Sequence, residues 1–276
     1  MSLKTVNLQQ AKPLAAVSGL SIAMIVLIGI VQTVAPRQRP PEPVLSELDP
    51  IAIFPDFGAI TDVSAKKQQF FDYLEDYVDH ENQRMLGLRE ELYPLADMAR
   101  SGVPFSDRER NWIFELAITY DLNPAELSQK ALLAELMLRV DVIPASLVLA
   151  QAANESAWGT SRFALEGNNL FGQWCFEEGC GLVPRRRASG ATHEVKSFDS
   201  IAGAVQAYFN NINTNQSYEY LRELRADMRE EEQQIDSMVL AFGLGRYSER
   251  GDHYVDEVQN IILQNELHAR DRDFSG

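Results

Sequence analysis

The chain has 276 residues, 45% of them hydrophobic, and a formal net charge of -15. That is enough for one large or two small domains with a sizeable core. The acidity argues against a nucleic-acid partner, which needs a basic face. The first 39 residues hold four Lys or Arg and no acid, so the remainder is more acidic still.

Residues 1–13 form a short N-terminal tail. Leu14 to Ala35 carries no charged residue and is bracketed by Pro13 and Pro36. Roughly 20 apolar residues suffice to span a bilayer as a helix, so residues 14–35 are expected to anchor the chain in the inner membrane. A cleaved signal peptide is the rival reading, with Val34-Ala35 as a cleavage site; Pro36 directly after it disfavours cutting. Lys4 and Lys12 before the span balance Arg37 and Arg39 after it, so charge leaves the orientation open. Residues 36–60 begin with a Pro-rich stretch and read as a semi-rigid spacer.

A helical part over 61–140 is expected next. Asp62 or Ser64 can cap a long helix running to about Leu92. Phe70, Leu74, Tyr77, Met85, Leu88 and Leu92 follow its period, and Glu81 interrupts the stripe. The stripe packs on the chain's own catalytic domain or, alternatively, supports self-association through the 64–92 helix. Pro94 breaks or kinks the pattern. Ser106 and Glu109 form a capping box for a helix burying Trp112, Ile113, Leu116 and Tyr120. Asn123, Pro124 and Glu126 start another helix.

The catalytic domain is expected over 141–270. Pro144 opens a helix ending near Glu155. A short irregular stretch leads to a hairpin, with Leu182-Val183 and residues 192–198 as strands joined through Ser189-Gly190. Asp199 caps a helix containing Ala204, Val205, Tyr208 and Ile212. Two more helices follow, around 233–242 and 254–267. The fold class is therefore mainly α with a small β lobe.

Cys175 and Cys180 are the only cysteines. A disulfide between them closes a small loop, worth roughly 2 kcal/mol, and implies an oxidising compartment. Two free thiols are the alternative. Zinc is disfavoured because no second ligand pair stands at ligand spacing. No metal site is evident and no cofactor is expected.

Leu147, Val148, Gln151 and Ala152 lie on the face of the Pro144 helix that Glu155 continues. Burial raises a carboxylate's pKa, and the negative end of the helix dipole pushes the same way. A carboxylic acid that stays neutral at pH 7 can protonate a leaving oxygen. The structural alternative is a Glu paired with a base such as Arg162.

The stretch from Gln151 to Gly159, followed by Asn169-Leu170-Phe171-Gly172, resembles the catalytic signature of the peptidoglycan N-acetylglucosaminidase family of bacterial autolysins. Gln173-Trp174-Cys175, the run from Gly179 to Pro184 and that from Gly190 to Val195 are similar to its Bax-type branch. The resemblance covers about residues 66–267. It implies a lysozyme-like helical fold with a β-hairpin walling a glycan cleft, and hydrolysis of the β-1,4 bond after N-acetylglucosamine. Glu155 stands at the family's general acid. Tyr247 is similar to the cleft tyrosine of a late motif, although the spacing to Tyr254 is one residue longer than usual; Tyr254 reads as core. Glu194 is the nearest hairpin carboxylate for a second catalytic group, with Glu177 and Glu178 further off. The substrate's own acetamido group is the alternative nucleophile. Asn169, Trp158, Phe171, Trp174 and Tyr208 are candidates to contact sugar. Arg185, Arg186 and Arg187 form a basic run able to attract stem-peptide carboxylates. The implied partner is peptidoglycan glycan and the implied place is the periplasm. A lytic transglycosylase on the same fold and a non-catalytic wall-binding scaffold are the rivals.

Overall fold

The computed structural model describes residues 54–274 apart from 186, 188 and 189. The expected membrane span at 14–35 lies outside them, and among the described residues no helix is long and apolar enough to cross a membrane. The chain is mainly helical with one small antiparallel sheet.

Helix α1 (Val63–Ser101) is the spine, about 58 Å long at 1.5 Å per residue. Asp62 caps it by accepting from Ala65 N at 2.7 Å, and Gly102 ends it in the left-handed region at φ 70°. Its stripe is buried within the chain itself, from Phe70 and Phe71 through Leu74, Val78 and Met85 to Leu92. Leu88 of the expected stripe is only half-buried. Glu81 is buried in it and is neutralised by Arg84 at 2.6 Å. The helix does not stop at Pro94. Proline removes one bond, to the carbonyl of Glu90, and that turn faces solvent, while Leu92, Leu95 and Ala96 keep packing across it.

Helix α2 (Asp107–Thr119) carries the capping box of Ser106 and Glu109. Helix α3 (Gln129–Arg139) starts later than Asn123. The Asn123 side chain instead makes a local turn, accepting from Ala125 N at 3.1 Å, and Ser128 is the cap. Helix α4 (Ala145–Ser156) follows, buried on every side over its first nine residues, which are apolar except for Ser146 and Gln151. Helix α5 (Arg162–Gly167), capped by Ser161, replaces the expected irregular stretch.

The β lobe has three strands: β1 (Trp174–Cys175), β2 (Gly181–Leu182) and β3 (Glu194–Lys196). Their order is β1-β3-β2, with Trp174 opposite Val195 and Leu182 also opposite Val195. The extra strand exists because the Cys175–Cys180 disulfide turns the chain back on itself, putting β1 and β2 on either side of β3.

Helix α6 (Ile201–Thr214) is capped by Ser200, one residue after the expected Asp199. Helix α7 (Glu219–Glu230) is absent from the sequence expectation because its buried face mixes Leu221 and Met228 with Arg222 and Arg225. Helix α8 (Ser237–Ala241) is short and passes into a 3-10 turn whose Gly243 lies directly on Leu221; a Cβ there would sit 2.4 Å from the leucine's own. Helix α9 (Asp252–Gln264) closes the body. Helix α4 contacts α1, α8, α9 and the C-terminal turn at Leu267–Arg270.

Asp141 fixes where α4 begins. It is 2% exposed and accepts from Arg229 Nε and Nη2 at 2.7 Å each and from Arg89 Nη1 at 3.1 Å. Arg225, 0% exposed, donates to Val142 O at 2.8 Å and to Asn213 Oδ1 at 2.8 Å. Asn82 of α1 pairs with both backbone groups of Ile143 at 2.9 Å. Asp271 of the C-terminal tail accepts from Ser146 N at 2.8 Å and Oγ at 2.6 Å, capping the helix that Pro144 cannot. Burial works against the Asp141 charge, yet the arginines hold its pKa below the usual carboxylate range. This stabilisation is present above the unfolded-state pKa and is lost as pH falls through the lower folded value. Asp141→Asn leaves buried arginines uncompensated, and we expect a loss of about 3–5 kcal/mol at pH 7 in denaturant titrations, shrinking in strong acid. A loss below about 1 kcal/mol, or one independent of pH, would contradict the anchoring role.

Candidate active site

The C-terminal end of α4 delivers Glu155. The helix is closed by three successive left-handed residues: Ala157 at φ 51°, Trp158 at 59° and Gly159 at 72°. Such a run is costly for L-residues, and it is held by Trp158 N to Ala153 O at 2.9 Å and Ser161 N to Ser156 O at 2.9 Å. Ser156 is buried and braces the turn, donating to Ala152 O at 2.6 Å and accepting from Gly159 N at 2.8 Å. At Gly159 any Cβ would meet the Phe57 ring at 2.8 Å, so only glycine fits.

Glu155 is half-buried at this end. Gly172 stands over it; a Cβ there would be 3.2 Å from Glu155 Oε2. Tyrosines surround the carboxyl. Tyr247 stacks on Tyr254 with ring centres 5.3 Å apart and lies 5.8 Å from Tyr218. The Tyr247 hydroxyl donates to Phe171 O at 2.7 Å, which leaves its oxygen able to accept from a ligand N–H. Burial pushes the Glu155 pKa up, opposed by the Tyr254 hydroxyl and by Arg250 and reinforced by Glu257; the net direction is upward. Arg250 is ion-paired with Glu257 and lies over the Tyr254 ring at 5.4 Å.

The other sequence candidates divide clearly. Asn169 is buried and fully used on backbone: its amide donates to Gln173 O at 2.9 Å and Lys196 O at 2.7 Å, and its oxygen accepts from Phe171 N and Gln173 N. It shapes the turn that presents Gly172 and has nothing left for sugar. Phe171 and Tyr208 are buried and stacked on each other at 4.2 Å, so neither offers an open ring face. Trp158 packs edge-on against Phe70 and Phe71 of α1, with Lys67 Nζ 4.5 Å above its ring. Trp174 is 58% exposed and stacked on His193 at 4.3 Å, which keeps one face free.

Glu194 is buried, and both its oxygens accept backbone N–H groups, from Gly179 at 3.2 Å and Gly181 at 2.8 Å. It braces the disulfide loop, an arrangement that does not suit a water-activating base. The cluster of Glu194 with Cys175 and Cys180 is no metal site, because the sulfurs are bonded to each other. Arg162 pairs with Glu166 and donates to Val183 O at 2.8 Å, so it does not neutralise Glu155. Arg185 is exposed, Arg187 donates weakly to Thr192 O and His193 O, and Arg186 lies outside the described residues.

A groove of about 940 Å³ is lined among others by Gln173, Trp174, Lys196, Asn210, Asn211 and Gln216; Glu155 is not among its lining residues. Gln173 directly follows Gly172 in the chain. Amides with one open indole are the surface that polyhydroxylated, N-acetylated rings use: hydrogen bonds at the edges and stacking on a face. Tyr254, Tyr218, Arg250 and Glu257 were not legible as site residues. Their signal lay only in the proximity of Arg250, Tyr254 and Glu257 on one helical end.

The Glu155 carboxyl is thus pressed towards its neutral form by burial. Residues 130–267 match the Glucosaminidase family, described as mannosyl-glycoprotein endo-beta-N-acetylglucosaminidase. The chain belongs to this family, in its Bax-type branch. It is 30% identical to "Protein bax" of Escherichia coli (strain K12) over 200 residues, covering 72% of this chain and 70% of that protein. No solved structure matches it.

The raised Glu155 pKa has a stability consequence. A carboxyl whose folded pKa exceeds its unfolded one destabilises the fold above the unfolded value, and the cost vanishes below it. Glu155→Gln is therefore expected to melt higher than the parent at pH 7–8, with the gap closing below the ordinary carboxylate pKa. Thermal unfolding across pH tests this; a variant less stable at pH 8 than at pH 4, relative to the parent, would contradict it.

Proposed function

We propose that the chain hydrolyses the β-1,4 bond after N-acetylglucosamine in peptidoglycan, with Glu155 as general acid. The carrying observation is the half-buried Glu155 carboxyl, held under Gly172 and among tyrosines. It gives its proton to the glycosidic oxygen as oxocarbenium-like charge grows on the sugar. The Tyr247 oxygen accepts the acetamido N–H, and Trp174 stacks on a ring of the glycan.

The second group is the acetamido oxygen of the substrate itself. The commitment of both Glu194 oxygens to backbone supports this over a carboxylate from the hairpin. Attack by that oxygen on the anomeric carbon breaks the glycosidic bond while Glu155 protonates the departing oxygen. Water then opens the cyclic intermediate, returning a proton to Glu155, with net retention of configuration. In this reading the helical body and small β lobe are lysozyme-like. The domain works in the periplasm, tethered by residues 14–35, and the Cys175–Cys180 disulfide supports an oxidising compartment.

Digestion of purified cell-wall sacculi, with mass spectrometry of the products, tests the reading. The parent is expected to release reducing N-acetylglucosamine ends, and Glu155→Gln to be slower by about 100- to 10,000-fold with its fold intact. Anhydro-muramic ends would reassign the reaction to a lytic transglycosylase. Near-normal clearing by Glu155→Gln would remove the acid role. Inversion in the first product would rule out the acetamido nucleophile.

A further inference from the structure

Gln151 lies one helical turn before Glu155 on the same face of α4 and is 0% exposed. Its amide oxygen accepts from the Tyr208 hydroxyl of α6 at 2.5 Å, and its amide nitrogen donates to the Tyr254 hydroxyl oxygen of α9 at 2.9 Å. Both tyrosines are 0% exposed, so neither hydroxyl can turn to water. With the Gln151 amide oxygen set towards Tyr208, the directions follow. Tyr208 has its proton on the Gln151 oxygen, which leaves the amide N–H₂ facing Tyr254. With its oxygen already receiving that N–H, Tyr254 has its own proton free for an acceptor. The Glu155 carboxyl, one turn along α4 from Gln151, is the group on which the Tyr254 hydroxyl acts, lowering its pKa against burial.

We propose that Tyr208, Gln151 and Tyr254 form a directed hydrogen-bond relay, with Gln151 and Tyr254 as positioning residues that orient and polarise the Glu155 carboxyl. Each donor in the chain strengthens the next. The relay favours the ionised carboxylate, against the burial that favours the neutral acid. It thereby keeps Glu155 able to release its proton as well as hold it, which an acid that must recycle requires. The other charged or titratable groups facing Glu155 are Arg250 before α9, Glu257 on α9, Tyr247, and Tyr218 before α7. Two of these are committed elsewhere: Arg250 is paired with Glu257, and the Tyr247 proton is on Phe171 O.

The inference deepens the acid role proposed above, but its test does not depend on turnover. In the full-length chain carrying carboxyl-labelled glutamate, the Glu155 resonance is identified by its absence in Glu155→Gln and titrated by NMR. Tyr254→Phe removes one oxygen, and the Glu155 midpoint is expected to rise by about one pH unit. The alkaline limb of sacculus digestion moves with it. Gln151→Met acts through Tyr254, so its shift has the same sign and is smaller, and the double variant shifts no further than Tyr254→Phe alone. If Tyr254→Phe does not fold, Gln151→Met carries the test. A midpoint that stays or falls in the folded variants overturns the relay, as do fully additive shifts. A rising midpoint in a parent that digests no wall upholds the relay and removes the proposed function instead.

Discussion

The start of α4 is held by one buried carboxylate among arginines, and the rest of the site inherits its position from that anchor. Asp141 gathers Arg89 from α1 and Arg225 and Arg229 from α7, so elements far apart in sequence converge on the turn just before α4. Asn82 and Asp271 fix the next residues. A helix registered this firmly at one end has little freedom at the other, about 18 Å away at its twelve-residue length. The left-handed turn after Ser156 then lets the chain leave without covering the last carboxyl.

The two ends of α4 treat a carboxylate in opposite ways. Asp141 lies near the positive end of the helix dipole and is surrounded by guanidinium groups, so it stays ionised despite complete burial. Glu155 lies at the negative end, is only half withdrawn from water, and has tyrosines and one distant-paired arginine for company, so burial wins and its proton is retained longer. Two carboxyl groups, one just before α4 and one near its end, are thus pushed in opposite directions by their surroundings. The aromatic network behind Glu155 draws on α6, α9 and the turn before α7.

What could be read in advance followed from period and capping. The α1 stripe, the Ser106 capping box, the start of α4 at Pro144 and the withdrawal of Glu155 from water at its end all rest on local signals. The misses have physical reasons. Helix α7 hides its core face behind Arg222 and Arg225, whose burial makes sense only once Asp141 and several carbonyls are beside them. Strand β1 depends on pairing with β3 across nineteen residues of chain. Tyr254 looked like core because it is core; that its hydroxyl also reaches the acid is a tertiary fact. Asn169 and Phe171 carry a signature that is equally diagnostic whether they touch sugar or only shape the Gly172 turn, and it is the turn that they shape.

The central claim is that Glu155 acts by protonating a poor leaving group. Comparing the natural glycan with an N-acetylglucosamine oligomer bearing a dinitrophenyl leaving group tests it most directly, because dinitrophenolate departs without a proton. The account predicts that Glu155→Gln loses two or more orders of magnitude on the glycan, at the scale of about 100- to 10,000-fold typical of general-acid help, while keeping most of the parent's rate on the aryl substrate. Equal losses on both substrates would contradict it, showing that Glu155 serves binding or folding and not proton transfer.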